Sequence, residues 1–498
     1  MAQRHGETRR QFINFGGNIQ FTPRQCYAPR TESEVLELLD KHADGKIRVV
    51  GSLHSWSEAV VSEDVLIDMR HFADVTVEHG ADGVVWATVG GGCKTKHLIG
   101  RLHSLSDSTI PSLGLITEQT IAGAISTGTH GSGKHSLSHY MDEIRVAAYD
   151  PDTGRARIFV WRDGPQLRAA RCGLGCMGVI LSVRFRCVPK YEVAETAVLC
   201  STIDEVLARE TEFPLQQFFL IPHLWCYVAQ QRRPTTPGKR GWAARLYRLY
   251  WLLAIDVGFH LVIKLLASVM RSRRLVRLFY RRLSTALVIK NRTIIDASEK
   301  MFVMEHELFR HLEIEIFVPA AHVRRAAEFV REVLSFFDGT NDSIRGASAD
   351  ELQQVGMHDT LMTLKGTFTH HYPIAFRRIL PDDTLISMAC DSTEPNYSIS
   401  FITYVEPRDR FLAMAAFLAR SMTKLFAARL HWGKYFPLTY CDIRGVYSQL
   451  EEFRRICRQT DPKGVFCNAF VARVLGFDDH PPSQNSSATT QVRASPVG

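Results

Sequence analysis

A histidine follows directly on an apolar segment in the stretch IRVVGSLHSWSE, which runs from Ile47 to Glu58. Ile47–Val50 has the β-branched composition of a buried strand, and Gly51 ends it. His54 therefore lies in the loop that leaves this strand. A lone histidine in a loop is weak evidence for chemistry, because it can equally cap or fill a core. The segments that accompany it decide between these alternatives.

Three further segments near strands are rich in glycine and small hydroxyl side chains. They are VGGGC (Val89–Cys93), PSLGLITEQTIAGAISTGTHGSG (Pro111–Gly133) and GLGCMG (Gly173–Gly178). Backbone N–H groups and hydroxyls in such loops can surround a diphosphate without any lysine. Together with the loop after Gly51, they indicate a large, flat ligand that carries phosphate groups.

GLGCMG also matches the dinucleotide-binding pattern G-x-G-x-x-G. That pattern binds pyrophosphate only where a strand precedes it and a helix follows. Here the residues that follow, Val179–Pro189, alternate between apolar and polar and predict a strand. The sequence therefore excludes a Rossmann fold at this position, and its glycines predict a close approach of the backbone to another group.

The elements around these loops predict an α+β protein with two domains. Short strands with interspersed helices, such as the helix predicted at Ser33–Ala43, fill residues 15–190. The second domain, 191–477, combines strands at Leu312–His322 and Tyr397–Pro407 with helices predicted at 322–337 and 409–426. The last residues, 478–498, are rich in Pro, Ser and Thr and predict a disordered tail.

Composition narrows the class of protein. The chain has 498 residues, 45% of them apolar and 22% charged, which is typical of globular proteins. Its eleven cysteines form no CxxC pair and no His/Cys cluster with zinc-site spacing, so we expect free thiols in a reducing compartment and no metal site. The N-terminus lacks the apolar core of a secretory signal. We therefore expect a cytoplasmic or membrane-associated protein.

One segment, 245–282, combines apolar residues with arginines. Arg245–Met270 has the length of a membrane span, but Asp256, His260 and Lys264 are spaced four apart and share one helix face. Six arginines lie in Met270–Arg282. These features are typical of an interfacial membrane helix, and equally of a buried helical elaboration of a soluble domain. We expect no nucleic-acid partner, and peripheral membrane contact through 245–282 stays open.

Several motifs together resemble a known family. VVGSLHSWS, VTVEH…VVWATVGGG, TIAGAISTGTHGSG and GLGCMGVI, in this order, are similar to the FAD-binding domain of vanillyl-alcohol oxidase type flavoproteins. NFGGNIQFTPRQCYAP, LHWGKYF and DPKGVFCNAFVARVLG resemble the aldonolactone oxidase group, which includes gulonolactone, arabinonolactone and alditol oxidases. The resemblance runs from about Ile13 to Phe477, apart from a basic, apolar insert near 240–290. It implies an FAD-binding domain of the PCMH type and an α+β cap over the flavin.

The resemblance assigns the cofactor site. His54 matches the histidine that the family bonds to the flavin, so it implies FAD bound covalently through His54. The predicted cofactor-binding residues are Gly51, Ser52, Leu53, His54, Ser55, Trp56, Gly91, Ser112, Gly114, Thr120, Gly123, Ser126, Thr127, Gly128, His130, Gly131, Gly175, Gly178, Val179 and Ile180. His130 is the second candidate for the covalent link, but its glycine-rich surroundings suit diphosphate binding better.

The resemblance also implies the catalytic set Lys434, Glu315, His431 and Arg377. Oxidation of an alcohol requires a group that takes the hydroxyl proton and a group that stabilises charge on the reduced ring. Glu315 matches the family's strand glutamate, and Lys434 and His431 match its HWGK motif. Two positions depart from the pattern: Phe317 replaces an arginine, and Ala375 replaces a glutamate two residues before Arg377. These departures imply a substrate pocket different from that of sugar-lactone oxidases.

The implied function is oxidation of a sugar-1,4-lactone or related polyol, with hydride transfer to flavin N5 and O2 as electron acceptor, giving H2O2. A glycine at the position of Gly91 is typical of the oxidases, since it leaves space for O2 at the flavin, although it also suits a backbone that turns close to the diphosphate. Two alternatives remain. One is a dehydrogenase that passes electrons to a quinone or cytochrome, and the other is an inactive flavin-binding scaffold.

Overall fold

A computed structural model describes residues 10–236, 238, 241–304, 308–344, 346–404 and 408–477. The predicted disordered tail, 478–498, lies outside the described residues. The strands of the first domain are β1 (Phe12–Ile13), β2 (Gln20–Phe21), β3 (Gln25–Tyr27), β4 (Ile47–Val50), β5 (Val65–Asp68), β6 (Val75–His79), β7 (Val85–Gly90), β8 (Ser108–Thr109), β9 (Met141–Tyr149), β10 (Ala156–Trp161), β11 (Val179–Arg186) and β12 (Val188–Pro189). Its helices are α1 (Glu32–Lys41), α2 (Thr95–Leu105), α3 (Ile121–Ser126) and α4 (Gly164–Arg171).

Two sheets form the framework of the first domain. A parallel sheet has the strand order β3-β5-β4, and an antiparallel sheet has the order β10-β9-β11-β7-β6. Helix α1 begins after Thr31, whose side chain accepts a hydrogen bond from the backbone N–H of Glu34. Val35 and Leu39, four residues apart on one face of α1, are fully buried in a core with residues of both sheets. The helix predicted at Ser33–Ala43 is therefore present.

The GLGCMG segment leads directly into strand β11, and no helix follows it, so the exclusion of a Rossmann fingerprint is confirmed. Gly178 has a φ of +115°, which side chains rarely adopt. A Cβ atom there would lie 2.4 Å from the carbonyl oxygen of Ala147 on β9. The close approach predicted from this glycine is thus to a neighbouring strand.

The second domain is built on one eight-stranded sheet. Its strands are β13 (Glu192–Cys200), β14 (Gln217–Leu220), β15 (Tyr227–Thr235), β16 (Thr293–Ala297), β17 (His311–Pro319), β18 (Ile374–Ile379), β19 (Asn396–Tyr404) and β20 (Arg429–Leu430), in the order β16-β13-β15-β14-β18-β19-β17-β20. Its helices are α5 (Ile203–Leu207), α6 (Trp242–Tyr250), α7 (His260–Lys264), α8 (Arg273–Arg282), α9 (Ser298–Phe302), α10 (Val323–Asp338), α11 (Ala347–Gln354), α12 (His358–Thr363), α13 (Arg408–Phe426), α14 (Tyr440–Ile443), α15 (Leu450–Thr460) and α16 (Ala469–Leu475). The predicted two-domain α+β fold is confirmed.

Two long amphipathic helices cover one face of this sheet. Phe329 and Val333 of α10 and Phe411 and Phe417 of α13 are buried in the same apolar core. Helix α10 ends at Gly339, whose φ of +74° suits a glycine after the last helical turn. The sheet is thereby held rigidly, which matters because β17 carries Glu315.

The chain returns to the first domain near its C-terminus. Val465 and Phe466 share the core of Val35 and Leu39, and Arg48 donates a hydrogen bond to the carbonyl of Phe466 at 2.5 Å. The predicted boundary near residue 190 corresponds to the position between β12 and β13, and the division into domains stays a prediction. The segment after α15 packs on the sheets of the first domain.

The insert near 240–290 is helical. Helix α6, a π-helical stretch (Trp251–Phe259), α7 and a second π-helical stretch (Leu265–Val269) form one continuous helix, Trp242–Val269. We call it the apolar helix, and α8 follows it. Among the described residues it is the one helix long and apolar enough to cross a membrane, judged by length and composition alone.

Candidate active site

A large cleft lies where the loops of the first domain meet the HWGK segment. It is open to solvent on one side and holds about 1030 Å³ of space, part of it solvent at the mouth. Fourteen of the predicted cofactor residues line it: Gly51, Ser52, Leu53, His54, Ser55, Trp56, Gly91, Thr120, Gly123, Ser126, Thr127, Gly175, Gly178 and Ile180. His431, Gly433 and Lys434 also line it. Four loops distant in sequence therefore form one site, as their shared composition predicted.

Six predicted cofactor residues do not line this cleft. Ser112, His130 and Gly131 line a second cavity instead, and Gly114, Gly128 and Val179 line neither. Val179 is buried in a core, because neighbouring residues of a strand face opposite sides and Ile180 faces the cleft. Gly128, with a φ of +78°, follows helix α3, and a Cβ atom there would lie 2.8 Å from Met388. The positive φ and the contact with Met388 explain why position 128 is a glycine.

The cleft has further lining residues that the sequence did not indicate, among them Arg48, Met69, Gln119, Ala122 and Leu174. All are neighbours of strands or loops that were identified. Arg48 is buried and donates hydrogen bonds to the carbonyls of Leu174 and Phe466. A charged residue inside the apolar strand IRVV was the signal that could have found it, since such a residue is buried only with partners.

His54 is held at the wall of the cleft. Its ring stacks on Phe15 with 4.9 Å between ring centroids, and Leu53 before it has a φ of +57°. The loop is fixed further by Trp56, whose backbone N–H donates to the carbonyl of Gly433 at 2.8 Å. Burial lowers the pKa of His54 to about 4. The imidazole is therefore neutral at neutral pH, as a nitrogen nucleophile must be.

Lys434 places a fixed positive charge at the cleft. Its Nζ lies 2.5 Å from a carboxylate oxygen of Glu313 and 4.2 Å from the centroid of the Trp56 ring. Glu313 is buried and is the partner that positions the lysine. Since Glu313 and Glu315 are two residues apart on strand β17, their side chains share one face of the strand.

Glu315 is buried beside four cationic or basic side chains. Its Oε1 lies 3.2 Å from Nε2 of His130 and 3.6 Å from a guanidinium nitrogen of Arg377. Burial alone would raise the pKa of Glu315, but the charge and hydrogen bond of His130, with the charges of His431 and Lys434, hold it well below its usual range. Glu315 is thus a carboxylate at neutral pH.

A hydrogen bond at Nδ1 fixes the ring orientation of each of the two histidines near Glu315. Nδ1 of His431 accepts a hydrogen bond from the backbone N–H of Gly433 at 3.0 Å, so its proton is on Nε2, and burial lowers its pKa to about 3. Nδ1 of His130 donates to the carbonyl of Gly131 at 2.9 Å. Its Nε2 faces Oε1 of Glu315 at 3.2 Å. The structure places His130 here, away from the cleft where diphosphate was expected.

His130, Glu315 and His431 also have the composition of a metal site, with ligand atoms within 4.8 Å of one another. The Nδ1 lone pair of His431 is occupied by the amide of Gly433, which leaves a protonated Nε2. A nitrogen ligand must offer a lone pair to the metal. This donor set therefore suits proton handling better than a metal.

The second cavity borders His130 and Arg377, two neighbours of Glu315, and holds about 410 Å³ of space that is partly open to solvent. Its polar lining is Ser112, His130, Ser132, Lys134, Gln217, Arg232 and Arg377, and its apolar lining is Leu113, Leu115, Tyr191, Leu215 and Phe302. Glu315 contacts His130 and Arg377 of this cavity and lies near His431 of the cleft. A substrate hydroxyl at Glu315 would thus be between the two spaces.

The two departures from the family pattern lie on the face of the sheet that carries Glu315. Across the β17-β19-β18 register, Glu315, Ser400 and Ala375 form one row, and Phe317, Ser398 and Arg377 form the next. The ring of Phe317 packs 5.1 Å from that of His130. Both serine hydroxyls are buried without a hydrogen-bond partner among the described residues, and sequence reasoning missed them. The surroundings of Glu315 are more apolar than the pattern implies.

Gly91 has a structural reason to lack a side chain. A Cβ atom there would lie 2.3 Å from the carbonyl oxygen of Ile180. Since a real Cβ cannot approach backbone that closely, the glycine is required by the passage of the chain beside β11. The expectation that Gly91 reports space for O2 therefore has no support from this contact, and Gly91→Ala would disturb the strands.

Comparison with known proteins agrees with this geometry. The family model of D-arabinono-1,4-lactone oxidase matches residues 183–474, and that of an FAD binding domain matches residues 23–152. A long-chain alcohol oxidase from an uncultured marine euryarchaeote is 46% identical over 93% of this chain and 97% of its own. L-gulonolactone oxidase of Mus musculus is 25% identical over 95% of this chain and 99% of its own.

The crystal structure of cholesterol oxidase from B. sterolicum has the same fold. It superposes with a TM-score of 0.69 at 15% identity, over 94% of this chain and 97% of that one. The cleft fits FAD, because it is large and is lined by the loops that match the FAD-binding family. The predicted cofactor is therefore confirmed, and the covalent link stays a prediction. The chain belongs to the D-arabinono-1,4-lactone oxidase family and is an FAD-dependent oxidoreductase with the fold of the vanillyl-alcohol oxidase type.

Proposed function

We propose that this enzyme oxidises the hydroxyl-bearing carbon of an alcohol with a long apolar chain, with O2 as the final electron acceptor. The observation that carries the proposal is the position of Glu315, a buried carboxylate that contacts His130 and Arg377 of the second cavity and lies near His431 of the FAD cleft. The apolar ring of Phe317, where related patterns have arginine, and the 46% identical relative named a long-chain alcohol oxidase support the choice of substrate.

The residues divide the chemistry between them. FAD, when bound, accepts the hydride that leaves the alcohol carbon. Glu315 accepts the hydroxyl proton, and His130, Lys434 and Arg377 keep Glu315 ionised before it does so. Lys434, fixed by Glu313, stabilises the negative charge that the transfer brings into the cleft. The products of this step are the carbonyl compound, the reduced cofactor and a proton on Glu315.

His54 binds FAD covalently in this proposal, because its neutral ring lines the cleft in a fixed orientation. After acid precipitation of the wild-type protein, we expect the flavin to stay with the pellet. His54→Ala should release it to the supernatant while the protein keeps its fold and thermal midpoint. Histidine His103, on helix α2 and outside the cleft lining, gives a control variant, His103→Ala, that should retain the flavin. Flavin released equally by wild type and His54→Ala would contradict the link.

Steady-state assays test substrate and acceptor together. Long-chain primary alcohols, short alcohols, alditols and aldonolactones are each supplied with O2, and carbonyl product and H2O2 are measured. We expect one peroxide per carbonyl and a kcat/KM for long-chain alcohols at least about tenfold above that for lactones, a ratio within the reach of apolar contacts. Turnover only with a quinone or cytochrome would instead identify a dehydrogenase.

A sugar lactone or polyol is the second candidate. Arg377, Gln217 and Ser132 give the second cavity a polar wall that suits several hydroxyls, and the family model carries the name of a lactone oxidase. In the same assays this alternative predicts the reverse order of kcat/KM. An inactive scaffold predicts no turnover with any compound of the series.

A further inference from the structure

The surface of the insert is unusually apolar. Of eighteen large apolar side chains that are exposed among the described residues, eleven lie between residues 242 and 283. They are Trp242, Leu246, Leu249, Leu253, Leu261, Val262, Leu265, Val269, Met270, Leu278 and Leu283. Trp242 is 76% exposed and Val269 69%. Soluble monomers seldom expose a contiguous patch of this kind unless it binds something.

The exposed residues form a stripe. Trp242, Leu246, Leu249, Leu253, Leu261, Leu265 and Val269 follow one another at multiples of three or four residues, which places them on one side of the apolar helix. Phe259 and Ile263 face the other way and are buried against the second domain with Tyr372 and Tyr404. The helix therefore has one side on the protein and one side in solvent.

Polar contacts hold the buried side of the helix in place. The hydroxyl of Tyr372 lies 2.6 Å from Nδ1 of His260, and the hydroxyl of Tyr404 donates to the carbonyl of His260 at 2.7 Å. These contacts anchor the helix to the second domain around His260, while most of its side chains stay outside the core. Its orientation is that of an interfacial helix, which lies in the membrane surface with its apolar side down.

The positive charge of the insert favours an anionic lipid surface as its partner. Residues 241–290 carry ten lysines and arginines and one acid, Asp256, so their net charge of +9 exceeds the +8 of the whole chain. Arg245, Lys264, Arg271, Arg274 and Arg282 are exposed around the apolar stripe. Apolar side chains bordered by cations match the acyl chains and anionic headgroups of a lipid surface. A second copy of this chain would bring the same positive charge.

The insert also contacts the substrate side of the enzyme. The hydroxyl of Tyr247 on α6 donates to Glu195 at 2.6 Å, and Glu195 pairs with Arg232 at 2.6 Å. Arg232 lines the second cavity. Two side chains thus separate the helix from the space that a substrate would enter.

We infer that the apolar helix and α8 form a docking surface for an anionic lipid membrane, placed so that a lipid alcohol can pass from the bilayer to the second cavity. The docking itself rests on the stripe and the arginines, whereas the delivery of substrate rests on the function proposed above.

Vesicle flotation of the full-length holoprotein tests the docking. We expect binding to vesicles that contain phosphatidylglycerol, weaker binding to neutral phosphatidylcholine, and loss of the difference at high salt, because screening shortens the reach of the arginines to about 10 Å at 0.1 M. The triple variant Leu253→Glu/Leu261→Glu/Leu265→Glu, called the leucine variant below, should abolish binding to both kinds of vesicle. Leu105→Glu, at an exposed leucine of the first domain, is the matched control and should bind as the wild type does.

A charge variant keeps the test valid if the leucine variant fails to fold. Arg271→Gln/Arg274→Gln/Arg282→Gln should weaken binding to anionic vesicles by about a hundredfold and leave binding to neutral ones unchanged. If the leucine variant and the charge variant both float as the wild type does, the inference is overturned. A wild type that fails to float and forms a dimer which the leucine variant dissociates would also overturn it, since the stripe would then bind a second copy.

Delivery is tested by how the substrate is presented. The leucine variant should lose at least about tenfold in kcat/KM for a long-chain alcohol embedded in vesicles and should keep the wild-type value for a short, soluble alcohol, because only the approach to the membrane is changed. Equal loss for both substrates would contradict delivery. No turnover of any alcohol by the wild type, with flotation intact, would refute the proposed function and leave the docking standing.

Discussion

Glu315→Gln is expected to slow reduction of the flavin by about a thousandfold, the usual contribution of a positioned base to proton transfer. Glutamine keeps the shape of the side chain and its hydrogen bonds to His130, so fold and flavin content should stay near wild type. Stopped-flow reduction under anaerobic conditions measures the effect. An unchanged reduction rate would show that another group accepts the proton.

The pH profile distinguishes a base from a structural residue. His130 makes the largest contribution that lowers the pKa of Glu315, against the opposing effect of burial. In the wild type, Glu315 is ionised well below neutral pH, so kcat/KM should fall only in strong acid. His130→Asn removes the lowering contribution, burial then dominates, and the acid limb of kcat/KM should move to higher pH. An acid limb that does not move would exclude Glu315 as the titrating group.

Lys434→Ala is expected to cut the rate of flavin reduction at least about a hundredfold, as the loss of one preorganised charge does in other enzymes. The variant also leaves Glu313 buried without its partner, and an uncompensated buried charge costs about 3–5 kcal/mol of stability. A lower thermal midpoint is therefore expected alongside the kinetic effect.

A double variant separates these two effects. Lys434→Met/Glu313→Gln removes both charges, so it should regain most of the stability while flavin reduction stays slow. Recovery of reduction together with stability would show that Lys434 acts only through folding. Glu313→Gln alone keeps Lys434 but removes the carboxylate that holds it in place. This variant should lose less activity than Lys434→Ala.

The local sequence pattern was sufficient to indicate most of the predicted residues that line the cofactor cleft. Gly51, Gly175 and the segment around Thr120 were found because glycines and hydroxyls at strand ends have few uses other than close approach to a ligand or a neighbouring strand. Val179 and Gly128, which the same reasoning included, do not line the cleft. Val179 faces the opposite side of its strand, and Gly128 follows the end of a helix. Both positions depend on tertiary packing.

The partners of the catalytic residues could not be predicted in the same way. His130 meets Glu315 and Lys434 meets Glu313 across more than a hundred residues of chain. The loop of His130 reaches the sheet where Gly133 and Lys134 contact β18, and Lys434 reaches Glu313 through the pairing of β17 with β20 and the fold of the HWGK turn. A sequence pattern contains no information on such pairings without relatives to align. Arg377 lies near Glu315 because β18 and β17 both pair with β19, and its catalytic role stays a prediction.

Single-turnover reduction tests the central claim that Glu315 and the FAD cleft oxidise a long-chain alcohol. Holoprotein is mixed with a long-chain primary alcohol without oxygen, and the loss of flavin absorbance is followed. The account predicts complete bleaching with formation of one aldehyde per flavin, faster than with any aldonolactone, and little bleaching in Glu315→Gln. Bleaching by lactones and alditols alone, or equal bleaching by wild type and Glu315→Gln, would contradict it.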